Sequence, residues 1–390
     1  MTTAIFNNNS RITFGSFLAY FVMSAIISPL GLISAPIAEH FDISLTAANA
    51  SFTYLTSGVF VGTLIAVFIF DFIKLRQVVI GGVAIICLSI YSIYAFDSFF
   101  VFSLCLGLIG ASCGVELSAA AVVIAKIYSE KLRASMLLLT DSFYSMAGVI
   151  STTLAGMLLA RQFHWSSAYL LAFAVSLGIG IIALFSKYPL TSKTESVRSS
   201  DAGTWNWPAS VHLVGVSMLI YLVGFVTIYS WVPNYAQAVL GLSVEGSSEV
   251  VSRMFLGMFV GQLIMFFLVL RFPIQALIVI YASMATLLTV SLWSVQSALH
   301  LEIAMLCLGL ATGGLFKTVL SYGTTAVLEP SPKMVSYLIF HAGLGTAVAP
   351  FLSSFVVEKS DMTAALQFAT VCYVLTFVLI LAARRSRQSE

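Results

Sequence analysis

One acid, Glu116, stands in the run "ASCGVELSAAAVV" (Ala111–Val123), whose other residues are apolar or small. One base, Lys317, stands in "GGLFKTVLS", an equally apolar run far downstream. A charged side chain near a bilayer centre costs at least ~2.5–3.5 kcal/mol, so such residues face a cavity or a partner. A carboxyl shielded from water resists ionising, and a nearby lysine favours its ionised form. Glu116 therefore has the chemistry of a proton carrier or a solute contact, and Lys317 that of an attractor for an anionic group. The alternative is a permanent Glu116–Lys317 ion pair that only pins two parts of the protein together.

Other polar residues in apolar surroundings extend the set. Asp141, in "LLLTDSFYSMAG", and His341, in "YLIFHAGLG", suit the floor of a polar cavity or a proton path. They suit local hydrogen bonding and packing equally well. In "YSWVPNYAQ", Pro233 is expected to break its helix, and Trp231, Asn234 and Tyr235 offer stacking and hydrogen bonds. Such a group fits a sugar site or an interfacial aromatic belt. Asp71, Lys74 and Arg76 in "FDFIKLRQ", with Lys131 and Arg133 in "SEKLRAS", read as a cytoplasmic gate in which an acid faces bases and a helix N-terminus. Topology alone would explain the bases but not Asp71. There is no P-loop, no metal-ligand spacing and no Ser/His/Asp constellation, so neither an enzyme nor a cofactor or metal is expected. The five cysteines are unclustered and read as small buried hydrophobes.

Lipid must surround the elements that carry these residues. Only 9% of the 390 residues are charged and 59% are hydrophobic, whereas a soluble domain is roughly a quarter charged. The net charge of +2 gives no reason to expect nucleic acid. The start "MTTAIFNNNSR" lacks the basic region and cleavage site of a signal peptide, so the first helix is expected to be retained. About 20 apolar residues cross a bilayer as a helix. Runs of that kind lie near 13–37, 49–72, 77–96, 100–127, 133–160 and 166–187, and again near 208–236, 248–270, 273–295, 301–327, 333–357 and 362–383. They are continuous rather than alternating, which excludes a β-barrel. The expectation is an all-α integral membrane protein with 12 transmembrane helices in two pseudo-symmetric six-helix halves, 1–187 and 208–390, joined by a cytoplasmic linker over 188–207.

Internal similarity supports the two halves. "LCLGL" occurs at Leu104–Leu108 and Leu306–Leu310, offset by 202, and "VFVGTLI" at Val59–Ile65 parallels "MFVGQLI" at Met258–Ile264, offset by 199. By the first offset Lys317 sits at the depth of Glu116 in the equivalent span, and the two are expected to face each other across a central cavity. With both termini cytoplasmic, fourteen of the lysines and arginines fall on the inner side and three on the outer, a positive-inside distribution. Parallel six-helix halves of this kind describe the major facilitator architecture.

"LLLTDSFYSMAGVI", "YSWVPNYA", "EPSPKMVSYLI" and "VVEKSDMTAAL" resemble stretches of the TsgA-type major facilitator proteins of the bacterial inner membrane, distant relatives of the fucose–proton symporters. In those symporters the fourth span carries a glutamate followed by small residues, to which "CGVELSAAA" is similar. The resemblance implies a sugar-binding and proton-coupling role for Glu116. It also sets Asp141 and Tyr144 where the symporters use amide side chains. The symporters' embedded first-span aspartate is missing, since no acid precedes Glu39 there. The TsgA pattern, for its part, has neutral residues where Glu116 and Lys317 stand. The expected function is secondary active transport of a small polar solute (a sugar, sugar acid or other organic anion) by a monomer, with protons as the coupling ion. Import of a carboxylate-type siderophore, export of a toxic compound, and a non-transporting sensor or scaffold are the alternatives.

Overall fold

A computed structural model describes residues 7–128, 130–189, 207–294, 297–326 and 332–389. In hydrocarbon every backbone N–H and C=O must be satisfied within its own segment, which leaves the helix for a continuous apolar run. The described residues accordingly form helices, with no strand among them. In chain order these are α1 (Asn8–Ile27), α2 (Leu30–His40), α3 (Leu45–Phe72), α4 (Leu75–Ala95), α5 (Phe99–Ile127), α6 (Glu130–Ala160) and α7 (Leu170–Leu184). They continue as α8 (Ala209–Leu240), α9 (Val244–Val269), α10 (Ile274–Leu292), α11 (Ala298–Thr312), α12 (Leu315–Thr324), α13 (Pro332–Lys359) and α14 (Met362–Ser389). Together they provide 12 segments long and apolar enough to cross a membrane.

Two crossings are interrupted. The first breaks between α1 and α2 at Ser28–Pro29, and the tenth breaks between α11 and α12 at Gly313–Gly314, three residues before Lys317. Pro233 does the opposite of what the sequence predicts, because α8 runs through it without a break. A proline removes one donor from the ladder, and a transmembrane helix tolerates that where neighbours surround it. Trp231, Val232 and Asn234 beside it are all buried. α8 ends instead at Gly241, whose φ of 65° is the left-handed stop that glycine accepts without strain.

The chain divides into two compact units, Met1–Ile43 with Ser51–Arg198 and Ser44–Ala50 with Ser199–Glu390. Each is built round a crossing of two helices through glycine. In the first, a Cβ on Gly58 or Gly62 would overlap the backbone of Gly107 or Ala111, and one on Gly110 or Gly114 would overlap that of Leu55 or Val59. α3 and α5 therefore touch backbone to backbone, the small-residue packing that associates helices in lipid. In the second, Gly257 and Gly261 meet the backbone of Leu306 and Leu310, while Gly309 and Gly313 meet that of Met254 and Met258. The four positions pair off at a common offset of 199. The capping serines of α5 and α11, Ser98 and Ser297, share it.

This register corrects the offset of 202 taken from "LCLGL". Carried past the break at Gly313–Gly314, the same offset sets Glu116 against Leu315 and Lys317 against Ser118 in the sequence. Gly261→Val is expected to cost about 1–3 kcal/mol and to lower the thermal unfolding midpoint of the purified protein. Gly81→Ala, with nothing within 4 Å of the added carbon, is expected to leave or raise the midpoint. Equal losses in both variants would contradict the backbone-to-backbone packing.

Candidate functional site

α5 has two working faces. Gly110 and Gly114 press one against α3, and Glu116 leaves from the other side toward α4 and α7. The notch that receives it is Gly82 on α4, where a Cβ would overlap Oε1 of Glu116. The residue is 4% exposed, and its Oε1 is sealed from solvent with no hydrogen-bond partner among the described residues. Beside it lies a cavity of about 10 Å³, bounded by Ser16 and Ala19 of α1, Val79 of α4, Ala120 of α5, Ile179 of α7 and Tyr188. A water needs roughly 10–15 Å³, so the space suits one. Every residue lining it belongs to the first unit.

The segment after α7 is tied down over this cavity. Arg76 donates from Nε to the Ala183 carbonyl at 2.9 Å and from Nη2 to that of Leu184 at 2.6 Å. A guanidinium at a helix C-terminus satisfies carbonyls that have no partner in the helix and complements the dipole. Arg11 reaches the Phe185 carbonyl at 3.5 Å. Asn8 grips Lys187 twice, donating to its carbonyl at 2.8 Å and accepting from its N–H at 2.7 Å. These bonds deliver Tyr188 to the cavity mouth. Burial pushes the Tyr188 phenol upward, Glu116 adds to this whenever its carboxyl is ionised, and Arg76 partly offsets the shift. On its other side Tyr188 borders a cleft of about 330 Å³ with Asp71, Lys74, Arg76 and Lys187.

The residues expected to form a gate thus fall into two groups. Asp71 and Lys74 are exposed at the cleft, while Arg76 holds α7. The side chain of Arg133 lies outside the described residues. Lys317 is an exposed side chain of α12, its ammonium 5.7 Å from the Phe316 ring centroid. Asp141 and Tyr144 are part-buried on α6, where residues three apart share a face. Phe143 between them packs on Phe14 and Phe17 of α1 at 6.2 and 5.0 Å.

In the second unit Trp231 is fully buried, and its Nε1 donates to Ser353 Oγ at 3.0 Å. Asn234 donates to the Ser230 carbonyl at 3.2 Å, and Tyr235 is buried. His341 lies against the Tyr337 ring at 4.4 Å, with Nδ1 2.9 Å from the Tyr337 carbonyl. Tyr337 in turn bonds His212 Nδ1 at 2.8 Å and packs on Trp207 at 5.1 Å. Sequence reasoning passed over Trp207, His212 and Tyr337, which come from two helix starts far apart in the chain. It also passed over His40, whose Nε2 lies 2.9 Å from Asp97 Oδ1, and His164, whose ring lies 5.2 Å from that of His40. Burial and then the neighbouring His40 charge lower the His164 pKa, with Asp97 opposing. Among the described residues no His/Cys/Asp/Glu group could hold a metal ion.

A family model described as the Major Facilitator Superfamily matches residues 12–331. Curated relatives include the Protein TsgA homolog of Serratia proteamaculans (strain 568), 27% identical over 375 residues, covering 96% of this chain and 95% of the relative. That of Yersinia pestis is 26% identical over 376 residues, with the same shares covered. The fold is similar to the crystal structure of FucP in its outward conformation, at a TM-score of 0.66 and 16% identity over 95% of this chain and 98% of that one. It is similar also to a D-xylose-proton symporter, at a TM-score of 0.77 and 12% identity over 98% and 97%.

The Gly82 notch can be tested without knowing a substrate. In Gly82→Ala the added carbon meets the mobile end of the Glu116 side chain, so the carboxyl moves and the helices stay. The variant is expected to fold with an unfolding midpoint close to that of the parent and a shifted carboxyl infrared band. An unchanged band would show that Glu116 does not occupy the notch.

Proposed function

The chain belongs to the major facilitator superfamily, and on that premise we propose that it carries a small polar solute across the bacterial inner membrane by alternating access, driven by protons. The solute is a sugar, a sugar acid or another organic anion. Both termini lie in the cytoplasm in this reading, as the basic residues favour. The coupling residue is Glu116. The observation that carries the proposal is its enclosure, with Oε1 unpartnered, inside one six-helix unit.

A carboxylate taken out of water without a cation or donors loses several kcal/mol of solvation. A proton removes that cost. The enclosed position therefore goes with the protonated acid, and release of the proton requires the carboxyl to regain water or a donor. That dependence links proton occupancy to the arrangement of α4, α5 and α7, which is what a coupled cycle needs. The first crossing has no acid before Glu39, so no second carboxyl competes for this role there. The solved relatives of similar fold include symporters named for fucose and D-xylose with protons, which supports a sugar-like solute. Lys317, exposed three residues after the break in the tenth crossing, supports an anionic group on it. Asp141, Tyr144, His341, Trp231, Asn234 and Tyr235 complete the proposed substrate and proton site, and Asp71, Lys74, Arg76 and Arg133 the proposed cytoplasmic gate.

In proteoliposomes with an inward-directed proton gradient, the protein is expected to accumulate at least one member of a labelled panel of pentoses, hexoses, hexuronates and monocarboxylates. Glu116→Gln should reduce accumulation at least tenfold while exchange of the same solute persists. Full gradient-driven accumulation by Glu116→Gln would refute the coupling role. Lys317→Ala should raise the KM for an anionic solute at least tenfold, and an equal rise for a neutral sugar would refute the charge recognition.

A further inference from the structure

Glu116 must exchange its proton with water somewhere, and its surroundings offer few openings. Gly15 and Ala19 of α1, Val79 of α4 and Ile179 of α7 have no polar side chain to pass a proton. Ser16 is the polar exception among the helices, and its hydroxyl donates to the Ile12 carbonyl of its own helix at 2.9 Å. Among the described residues the ionisable groups near the carboxyl are Cys113, one turn earlier on α5, and Tyr188, with Arg76 of α4 beside Tyr188. Arg11 stands one turn before Gly15 on α1.

Tyr188 is the residue common to the linings of the water-sized cavity and of the cleft at the turn between α3 and α4. The cleft has Asp71, Lys74, Arg76 and Lys187 on its rim. A phenol both donates and accepts a hydrogen bond. We infer that Tyr188 is a relay lid that loads and unloads Glu116 through this cleft. A proton arriving from cleft water is taken by the phenol oxygen as the phenol passes its own to the cavity water. That water passes one to the carboxyl, so Tyr188 and the water end unchanged. The lid is held shut by the pair of hydrogen bonds between Asn8 and the Lys187 backbone. The side chain next to that anchor is the relay itself. The inference rests on Glu116 being the proton site proposed above.

The test follows the infrared carbonyl band of protonated Glu116, identified by its loss in Glu116→Gln, as the protein is transferred into heavy water. Tyr188→Phe keeps the ring and removes the relay, and is expected to slow deuterium exchange of this band at least tenfold. Tyr188→Ala opens the lid and should speed it at least tenfold, and Asn8→Ala should speed it as well. If one of the two opening variants does not fold, the other still gives an expectation opposite to that of Tyr188→Phe. Exchange unaltered by Tyr188→Phe together with Tyr188→Ala or Asn8→Ala would overturn the relay lid while leaving Glu116 as the proton site. A spectrum with no band that Glu116→Gln removes, at any pH, would overturn both.

Discussion

At the centre of the first unit's chemistry is a carboxyl enclosed by its own helices with, among the described residues, no hydrogen-bond partner on one oxygen. Such a group is costly to bury as an ion, and no described residue gives Oε1 of Glu116 a hydrogen bond. A purely structural acid in a bilayer would be expected to hold a cation or several donors. Instead the unit supplies a bare glycine notch, small side chains and room for one water. Space has been kept for the carboxyl where the cheaper solution was an apolar residue. The proposed role of Glu116 therefore rests on its setting as well as on its type.

Glycine spacing makes the setting possible. α5 spends one face on α3, where backbones touch, and this fixes the rotation of the helix. The rotation sends Glu116 toward α4 and α7. The same device in α9 and α11 fixes the second unit, at a common offset of 199. One register thus sets where Glu116 points and, by its offset, matches Lys317 with Ser118 rather than with Glu116 in the sequence. The ties among Asn8, Arg11, Arg76 and the chain after α7 close the remaining side of the unit.

Much of this was legible in the residues. Continuous apolar runs gave the twelve crossings, because helix length and bilayer thickness leave little freedom. Glu116 and Lys317 stood out because charge is rare in such runs. The register was misread because leucine-rich pentamers such as "LCLGL" match by chance, whereas the glycines that touch a neighbour are set by contact. Pro233 was misjudged because proline's local cost was counted without the neighbours that stabilise the helix around it. Tyr188 and Asn8 were invisible for a different reason. Their roles depend on bonds across 179 residues, and neither carries an unusual local pattern.

The most direct measurement is a proton count. Purified protein and Glu116→Gln, titrated side by side from alkaline to acid pH within the range where both stay folded, should differ in protons bound. The account predicts that the parent takes up a single proton more per chain than the variant, without any solute present. Identical uptake by the two would contradict it, since an acid that binds no proton in the folded protein cannot couple transport to a proton gradient.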